Sequence, residues 1–216
     1  MVLSSIEATP ATTTPPPIGV LISGRGSNLQ AIIAAIDEGR LHARIAVVLS
    51  NRADAAGLAR AAAAGLVTDV VDHKAFPSRT DFEEALARRL RAAGVSLVCL
   101  AGFMRILSPV FLEYFPGQVL NVHPSLLPAF PGMDAQRQAW AHGVKVAGAT
   151  VHMVTPVLDA GPIVLQAAVP VLEGDSEDSL AARILVEEHR LYPLAIAIVL
   201  DQRWRLEGRR LVLPPT

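Results

Sequence analysis

Short apolar runs alternate with stretches of helical periodicity along the first half of the chain. The stretches 27–38 and 54–64 are rich in alanine, and a further helix is predicted where Thr80 and Glu83 can form a capping box. This alternation predicts parallel strands that are joined by crossover helices. The runs that predict these strands are 18–23 (IGVLIS), 44–50 (RIAVVLS), 68–72 (TDVVD), 96–102 (SLVCLAG) and 118–123 (QVLNVH).

The second half of the chain has more predicted strands than helices. Two further runs, 146–154 and 163–171, predict strands, and this part of the sheet can include an antiparallel one. The whole pattern predicts an α/β fold with a doubly wound, mostly parallel, Rossmann-like sheet that carries helices on both faces.

The C-terminal region is predicted to form a long helix followed by a hairpin. Asp175 or Ser176 can cap the helix, which extends to about Leu200 and can break at Pro193. After the helix, RWRLEGRRLVL alternates in polarity about a Glu207-Gly208 turn, which is typical of two short strands.

Length and charge limit the class of protein. The chain has 216 residues, which suits one large domain over 18–216, and residues 1–17, which contain TTTPPP, predict a flexible extension and not a signal peptide or membrane segment. The formal net charge of -1 does not favour nucleic acid or an anionic membrane as a partner. We therefore expect a cytoplasmic monomer or homodimer that acts on small molecules.

Cysteine and histidine do not indicate a metal site. The single cysteine, Cys99, lies inside an apolar run and is interpreted as a small core residue. The six histidines form no i,i+4 pair and no HExxH motif. No metal is predicted.

A glycine-containing loop, SGRGSNLQ (23–30), follows the first predicted strand. Gly24 and Gly26 allow the backbone to approach a ligand closely, while Ser27 and Asn28 can cap the next helix. Backbone N–H groups at such a junction favour an anion. The loop lacks both the Gly-Lys-Ser/Thr of a Walker A motif and the third glycine of a dinucleotide fingerprint, so a single phosphate fits better than a dinucleotide. An ordinary helix-start turn is the alternative.

Two polar side chains end the run QVLNVH. Asn121 and His123 lie two residues apart in a strand, so both should face one cleft at the carboxyl end of the sheet. Pro124 restricts His123 to an extended conformation. A histidine can act as acid or base near neutral pH, and an amide can donate to a developing oxyanion. Asp159, in the turn-forming segment TPVLDAGP, is a candidate orienting partner for His123, with a solvated aspartate as the alternative.

Two other polar features are candidates for binding. Glu188 shares a predicted helical stripe with Ile184, Leu191 and Ala195, so its carboxyl group must be paired, protonated or facing a ligand. The segment 104–107 (MRIL) follows a predicted strand, where its arginine could hold an acidic group and its apolar residues could line a slot for a flat heterocycle. A hydrophobic turn before a helix start is the alternative for this segment.

Together these motifs resemble the phosphoribosylglycinamide formyltransferases, which are folate-dependent enzymes of purine synthesis. The resemblance covers about Ile18 to Val212 and is carried by LISGRGSNLQAII, LAGFMRILSP, LNVHPSLLPAFPG, GATVHMV, LDAGPIVLQ and EEHRLYP. HPSLLP alone is shared by the wider folate formyltransferase group, whereas SGRGSNLQ together with NVHPSLLP is more specific. The resemblance implies a formyltransferase fold and formyl transfer from the cosubstrate 10-formyltetrahydrofolate to the amine of glycinamide ribonucleotide.

The resemblance also implies three sets of site residues. The catalytic set is Asn121, His123 and Asp159. The residues implied for glycinamide ribonucleotide are Gly26, Ser27, Asn28, Leu185, Val186, Glu187 and Glu188. Those implied for formyl folate are Arg79, Met104, Arg105, Ile106, Leu107, Asn121, Thr155, Pro156, Val157, Leu158 and Asp159. Arg25 and the segment 133–135 (MDA) differ from some relatives, which leaves the conformation of the loop over the site open.

The implied reaction is direct attack of the amine on the formyl carbon. Asn121 and protonated His123 would stabilise the oxygen of the tetrahedral intermediate, and Asp159 would orient the imidazole and raise its basicity. His123 or a water would carry the proton to the leaving folate nitrogen. No GxSxG elbow is present to favour a covalent route. The alternatives are a 10-formyltetrahydrofolate hydrolase that uses the same residues with water, and a non-catalytic phosphoribosyl-binding module.

Overall fold

A computed structural model describes residues 14–214, and its strands form one sheet. The strands are β1 (Pro17–Ile22), β2 (Arg44–Ser50), β3 (Thr68–Val70), β4 (Leu97–Leu100), β5 (Val119–His123), β6 (Val146–Met153), β7 (Ile163–Pro170), β8 (Arg205–Glu207) and β9 (Arg210–Val212). The helices are α1 (Ser27–Asp37), α2 (Ala56–Ala63), α3 (Arg79–Ala92), α4 (Pro109–Tyr114), α5 (Ala135–Ala141) and α6 (Glu177–Asp201), with a short 3₁₀ helix at His73–Ala75.

The strand order explains where a site can form. Across the described residues the order is β3-β2-β1-β4-β5-β6-β7-β9-β8, and the first five strands in this order are parallel to one another. The chain moves outward from β1 to β3 and then returns to place β4 on the other side of β1, so the carboxyl ends of β1 and β4 flank a topological switch point. β6 is antiparallel to both β5 and β7. The predicted α/β class, its mostly parallel sheet and its C-terminal hairpin are confirmed.

Helices cover both faces of the sheet. Successive strand residues point to opposite faces, and in the central strands the side chains on both faces are apolar and must be buried. In β1, Val20 and Ile22 pack with side chains of α1 and α6, whereas Leu21 packs with α3 and α4. Tyr192 of α6 is fully buried, and its hydroxyl lies 2.9 Å from the carbonyl oxygen of Leu100 and 3.2 Å from that of Leu120. This contact fixes α6 against β4 and β5.

Two local predictions about helices are wrong. The N-cap of α3 is Ser78, whose hydroxyl accepts from the Asp81 N–H, so Thr80 and Glu83 do not form the capping box. α6 also runs through the buried Pro193 without a break, because packing of this helix on the sheet outweighs the missing N–H. Its N-cap is Ser176, one of the two predicted residues, which forms a capping box with Ser179.

The predicted N-terminal extension is described only in part. Most of the predicted flexible extension, residues 1–13, lies outside the described residues, and the division into an extension and one domain stays a prediction. In the part of the chain that is described, no helix is both long enough and apolar enough to cross a bilayer.

Candidate active site

The loop after β1 is shaped by Gly26. This residue has a φ of 72°, and a Cβ placed on it would lie 2.7 Å from the Cα of Gly57 in α2. Gly26 occupies the N-cap position of α1, and no side chain caps this helix end. The prediction that Ser27 or Asn28 caps the helix is therefore wrong, and the first-turn N–H groups of α1 are not bonded by a capping side chain.

Asn28 instead connects the loop to α6. Its side-chain nitrogen donates to Glu188 Oε2 at 2.7 Å, and both residues are buried. Within residues 14–214 the Asn28 Oδ1 is buried without a hydrogen-bond partner. Burial raises the pKa of Glu188, although the Asn28 hydrogen bond and the nearby charge of Arg25 partly offset this rise. The predicted stripe of Ile184, Glu188, Leu191 and Ala195 is buried on one face of the helix.

The other α6 residues implied for the ribonucleotide are less buried than Glu188. Leu185 is half-buried, Val186 is 65% exposed, and Glu187 pairs with Arg190 at 2.7 Å. Beside Ser27, an open cleft of about 370 Å³ is lined in part by Arg40, Arg60 and His189. These residues were missed because they come from three separate elements and no local motif marks them.

The antiparallel pairing of β5 with β6 adds a histidine that the sequence reading missed. Asn121 is directly opposite His152, and its side-chain nitrogen lies 3.3 Å from His152 Nε2. His152 Nδ1 lies 3.0 Å from the carbonyl oxygen of Met153, and its Nε2 faces both the Asn121 amide and a carboxylate, so the role of Nε2 depends on the tautomer. His152 thereby contacts the Asn121 amide directly. The available signal was a polar residue inside the run VAGATVHMV.

Asp159 lies between two histidines. Its Oδ2 is 3.5 Å from His123 Nδ1, and its Oδ1 is 3.5 Å from His152 Nε2. Asp159 has a φ of 49°, in the left-handed region that aspartate tolerates better than most residues. A Cβ on the nearby Gly161 would lie 1.8 Å from the carbonyl oxygen of Met153, so this turn requires glycine to press against the end of β6. The structure thus places Asp159 in contact with the β5 and β6 histidines.

The environment sets the charge of these groups. Burial lowers the pKa of His123, while its contacts with the Phe130 carbonyl and Asp159 act in the opposite direction and do not overcome it. Burial alone would raise the pKa of Asp159, but His152, the Gly132 N–H at 2.7 Å and His123 together hold it below its usual value. An ionised Asp159 beside a mostly neutral His123 is therefore expected near neutral pH. A protonated His123 at the tetrahedral intermediate stays a prediction, because the lowered pKa describes the ring before reaction.

The segment 102–108 follows β4 and is held by polar contacts. Arg79 donates from Nε to Glu83 at 2.8 Å and from a terminal nitrogen to the Ile106 carbonyl at 2.5 Å. Glu83 is 1% exposed and also accepts from the Ser108 backbone N–H at 3.0 Å. Arg79 came only from the family resemblance, and Glu83 was taken for a capping residue, since neither long-range contact is visible in the local sequence.

The side chains of this segment divide into two groups. Met104, Arg105 and Ile106 are exposed, whereas Leu107 is 3% exposed and packs in the core with Phe111. The Leu107 side chain therefore anchors the segment to the core, and a contact of this residue with formyl folate stays a prediction. Across the described ranges no group of three or more His, Cys, Asp or Glu could hold a metal ion.

The turn before Asp159 is largely exposed. Val157 and Leu158 are 66% and 48% exposed, Pro156 is exposed, and the Thr155 hydroxyl donates to the Val157 carbonyl at 3.2 Å. These residues form the outer part of the turn, while Asp159 alone reaches inward to the histidines.

Comparison with known proteins places this arrangement in a family. The model of the Formyl transferase family matches residues 17–196. The chain therefore belongs to the formyl transferase family.

Its relatives narrow the class of enzyme. The chain is 47% identical over 205 residues to the phosphoribosylglycinamide formyltransferase of Escherichia coli (strain K12), covering 92% of this chain and 96% of that protein. It is 47% identical over 182 residues to the Homo sapiens trifunctional purine biosynthetic protein adenosine-3, covering 84% of this chain and 18% of that protein. The crystal structure of glycinamide ribonucleotide transformylase 1 from Symbiobacterium toebii has a TM-score of 0.92 and 57% identity, covering 98% of this chain and 100% of that one. The predicted resemblance to the phosphoribosylglycinamide formyltransferases is confirmed.

Proposed function

We propose that the protein transfers a formyl group from 10-formyltetrahydrofolate to the amine of glycinamide ribonucleotide, a step of de novo purine biosynthesis. The names of the relatives support this reaction and its acceptor. The observation that carries the chemistry is the contact of one buried aspartate, Asp159, with both His123 and His152, while His152 holds the Asn121 amide.

The loop after β1 supports binding of the ribonucleotide phosphate. The uncapped first turn of α1 presents backbone N–H groups from Gly26 onward, and the positive end of the helix dipole favours an anion there. Arg60 and Arg40 add positive charge to the cleft beside Ser27. Asn28 Oδ1 and Glu188 are proposed to accept hydrogen bonds from the ribose hydroxyls, since both are acceptors next to the loop.

The segment after β4 supports binding of the formyl folate. Met104 and Ile106 offer exposed apolar side chains for the flat ring system, and Arg79 and Arg105 offer cations for the carboxylates of the folate. The turn 155–159 is proposed to contact the same molecule because its last residue reaches the catalytic histidine.

The proposed mechanism is direct transfer without a covalent enzyme intermediate. The amine nitrogen forms a bond to the formyl carbon, and the formyl oxygen gains negative charge that the second N–H of the Asn121 amide stabilises. Neutral His123 takes the proton that the amine loses, and the ionised Asp159 stabilises the resulting imidazolium. The proton then passes to the folate nitrogen as the bond from carbon to that nitrogen breaks. Because His123 Nε2 lies 2.8 Å from the Phe130 carbonyl, the ring must exchange this partner for the reactants.

One assay tests the proposal. Consumption of 10-formyltetrahydrofolate is followed with and without glycinamide ribonucleotide, and we expect consumption only when the amine is present. Consumption without the amine would identify a hydrolase that uses the same residues with water. No consumption under either condition would identify a phosphoribosyl-binding module.

Three predictions from the sequence accompany this function. A cytoplasmic location and a monomeric or homodimeric state stay predictions, as do partners limited to small molecules, which the near-neutral net charge of -1 favours.

A further inference from the structure

We propose that Ser23 is a positioning residue for the folate segment (residues 102–108). Its side chain holds this segment in place and connects it to the phosphate loop (residues 23–30). Ser23 is the residue after β1, and it begins the loop that continues through Gly26. Its hydroxyl accepts from the backbone N–H of Met104 at 2.8 Å. The inference rests on the proposed function, because it takes 102–108 as the segment that binds formyl folate.

The Ser23 hydroxyl extends the strand pair beyond its backbone ladder. Backbone hydrogen bonds join the two chains up to and just past the carboxyl ends of β1 and β4. The last two run from Ala101 N to Leu21 O at 2.9 Å and from Ser23 N to Gly102 O at 3.1 Å. Past this point the two chains separate into the phosphate loop and the folate segment. The side chain of Ser23 then supplies one more link, to Met104, which is two residues further along.

A buried neighbour accepts the hydroxyl proton of Ser23. Ser23 Oγ donates to Asn51 Oδ1 at 2.6 Å, and the two residues are 5% and 2% exposed. The hydroxyl proton is therefore committed to Asn51, which leaves the oxygen lone pairs for the Met104 N–H. Asn51 is itself held by His73, whose Nδ1 lies 3.3 Å from Asn51 Nδ2 and 3.2 Å from the Asn51 carbonyl. Asn51 and His73 thus orient the hydroxyl toward Met104.

The contact acts on one substrate more than the other. The far end of the folate segment is held independently by Arg79 and Glu83, so loss of the Ser23 hydroxyl frees only the Met104 end. The phosphate loop keeps its own backbone anchor, from Gly57 N to Gly24 O at 2.9 Å. Removing the hydroxyl should therefore weaken formyl-folate binding and leave ribonucleotide binding nearly intact.

The test compares Ser23→Ala with Ser96→Ala in the full chain. Ser96 is a matched control, because its hydroxyl also donates across the same strand pair, to the Pro17 carbonyl at 2.9 Å, but at the opposite end of the sheet. In Ser23→Ala we expect the KM for 10-formyltetrahydrofolate to rise roughly three- to tenfold, the factor typical of one lost hydrogen bond. The KM for glycinamide ribonucleotide and kcat should change less than about twofold. In Ser96→Ala neither KM should change.

Hydrogen exchange separates this inference from the proposed function. The Met104 amide should exchange faster in Ser23→Ala than in the wild type or in Ser96→Ala, even if the protein proves not to transfer formyl groups. If Ser23→Ala does not fold, Asn51→Ala replaces it, with the same changes expected at smaller size. The inference is overturned by unchanged Met104 exchange, by an unchanged KM for formyl folate in an active enzyme, or by equal increases in both KM values.

Discussion

The two ends of the site differ in how their polar groups are used. At the proposed phosphate-binding end, Asn28 donates to Glu188 but keeps a buried acceptor without a partner among the described residues, and no side chain caps α1. At the proposed catalytic end, Asp159 lies 3.5 Å from a ring nitrogen of both His123 and His152, and each histidine also contacts a backbone carbonyl. Groups with unused hydrogen-bonding capacity suit binding, whereas groups that hold one another suit a fixed orientation during reaction. Changes at the catalytic end should therefore lower kcat, and changes at the phosphate end should raise KM.

The largest effect is expected at the catalytic end. His123→Ala and Asn121→Ala should each lower kcat by a hundredfold or more, because loss of one such group typically adds about 3 kcal/mol to the barrier. Steady-state kinetics measure this loss, and thermal unfolding verifies that the variants stay folded. His42→Ala is the control, since His42 is exposed and lies outside the site. Turnover near the wild-type value in either folded variant would falsify the catalytic assignment.

A smaller effect with a distinct pH signature is expected for Asp159→Asn. The negative charge of Asp159 raises the pKa of His123, although burial keeps the final pKa below the ordinary 6.5. If neutral His123 is the base, kcat/KM increases as pH rises through that pKa. Removing the charge of Asp159 lowers the pKa of His123 further. The rising, acidic part of the pH profile of kcat/KM (the acid limb) should therefore move to lower pH, while kcat falls roughly tenfold or more.

The profile of kcat/KM between about pH 5 and pH 8 measures this shift. Asp54→Asn is the control, because Asp54 pairs with Arg52 on the surface. A limb that moves to higher pH, or a lower activity with an unmoved limb, would show that Asp159 does not act through the charge of His123.

The same contrast explains what the sequence could predict. The proposed phosphate loop lies in one short stretch, so the glycine and polar spacing from Ser23 to Asn28 predicts it from local sequence alone, and phosphate binding there stays a prediction. The catalytic end depends on partners that are far apart in the chain. His152 was missed because its role follows from an antiparallel pairing of β6 with β5, and a polar residue in an apolar run does not reveal that pairing.

Local rules failed where tertiary contacts compete with them. Glu83 matches a capping pattern, yet it is buried by contacts with Ser108 and Arg79, while Ser78 caps the helix. Pro193 matches a helix break, yet α6 continues because this part of the helix packs on the sheet. In both places the local preference is worth a few kcal/mol at most, and the buried contacts decide the conformation.

The smallest effect is expected for Glu188→Gln at the phosphate end. The pKa of Glu188 is raised in the folded state, so the protein favours the protonated group and its stabilising contribution is lost as pH rises through that pKa. Glutamine keeps an acceptor for Asn28 and removes the cost of a buried charge. The free energy of unfolding should therefore stay equal or increase by up to about 1 kcal/mol at pH 8, and this gain should shrink toward pH 5.

Kinetics complete this last prediction. The KM for glycinamide ribonucleotide should rise roughly fivefold in Glu188→Gln, because a charged acceptor bonds more strongly than a neutral one, while kcat stays within about twofold. Chemical denaturation at the two pH values and steady-state kinetics measure both effects, with the exposed Glu113→Gln as control. A stability loss at pH 8, or a fall in kcat with unchanged KM, would mean that the phosphate end is built like the catalytic end, from groups whose mutual contacts matter more than their capacity to bind.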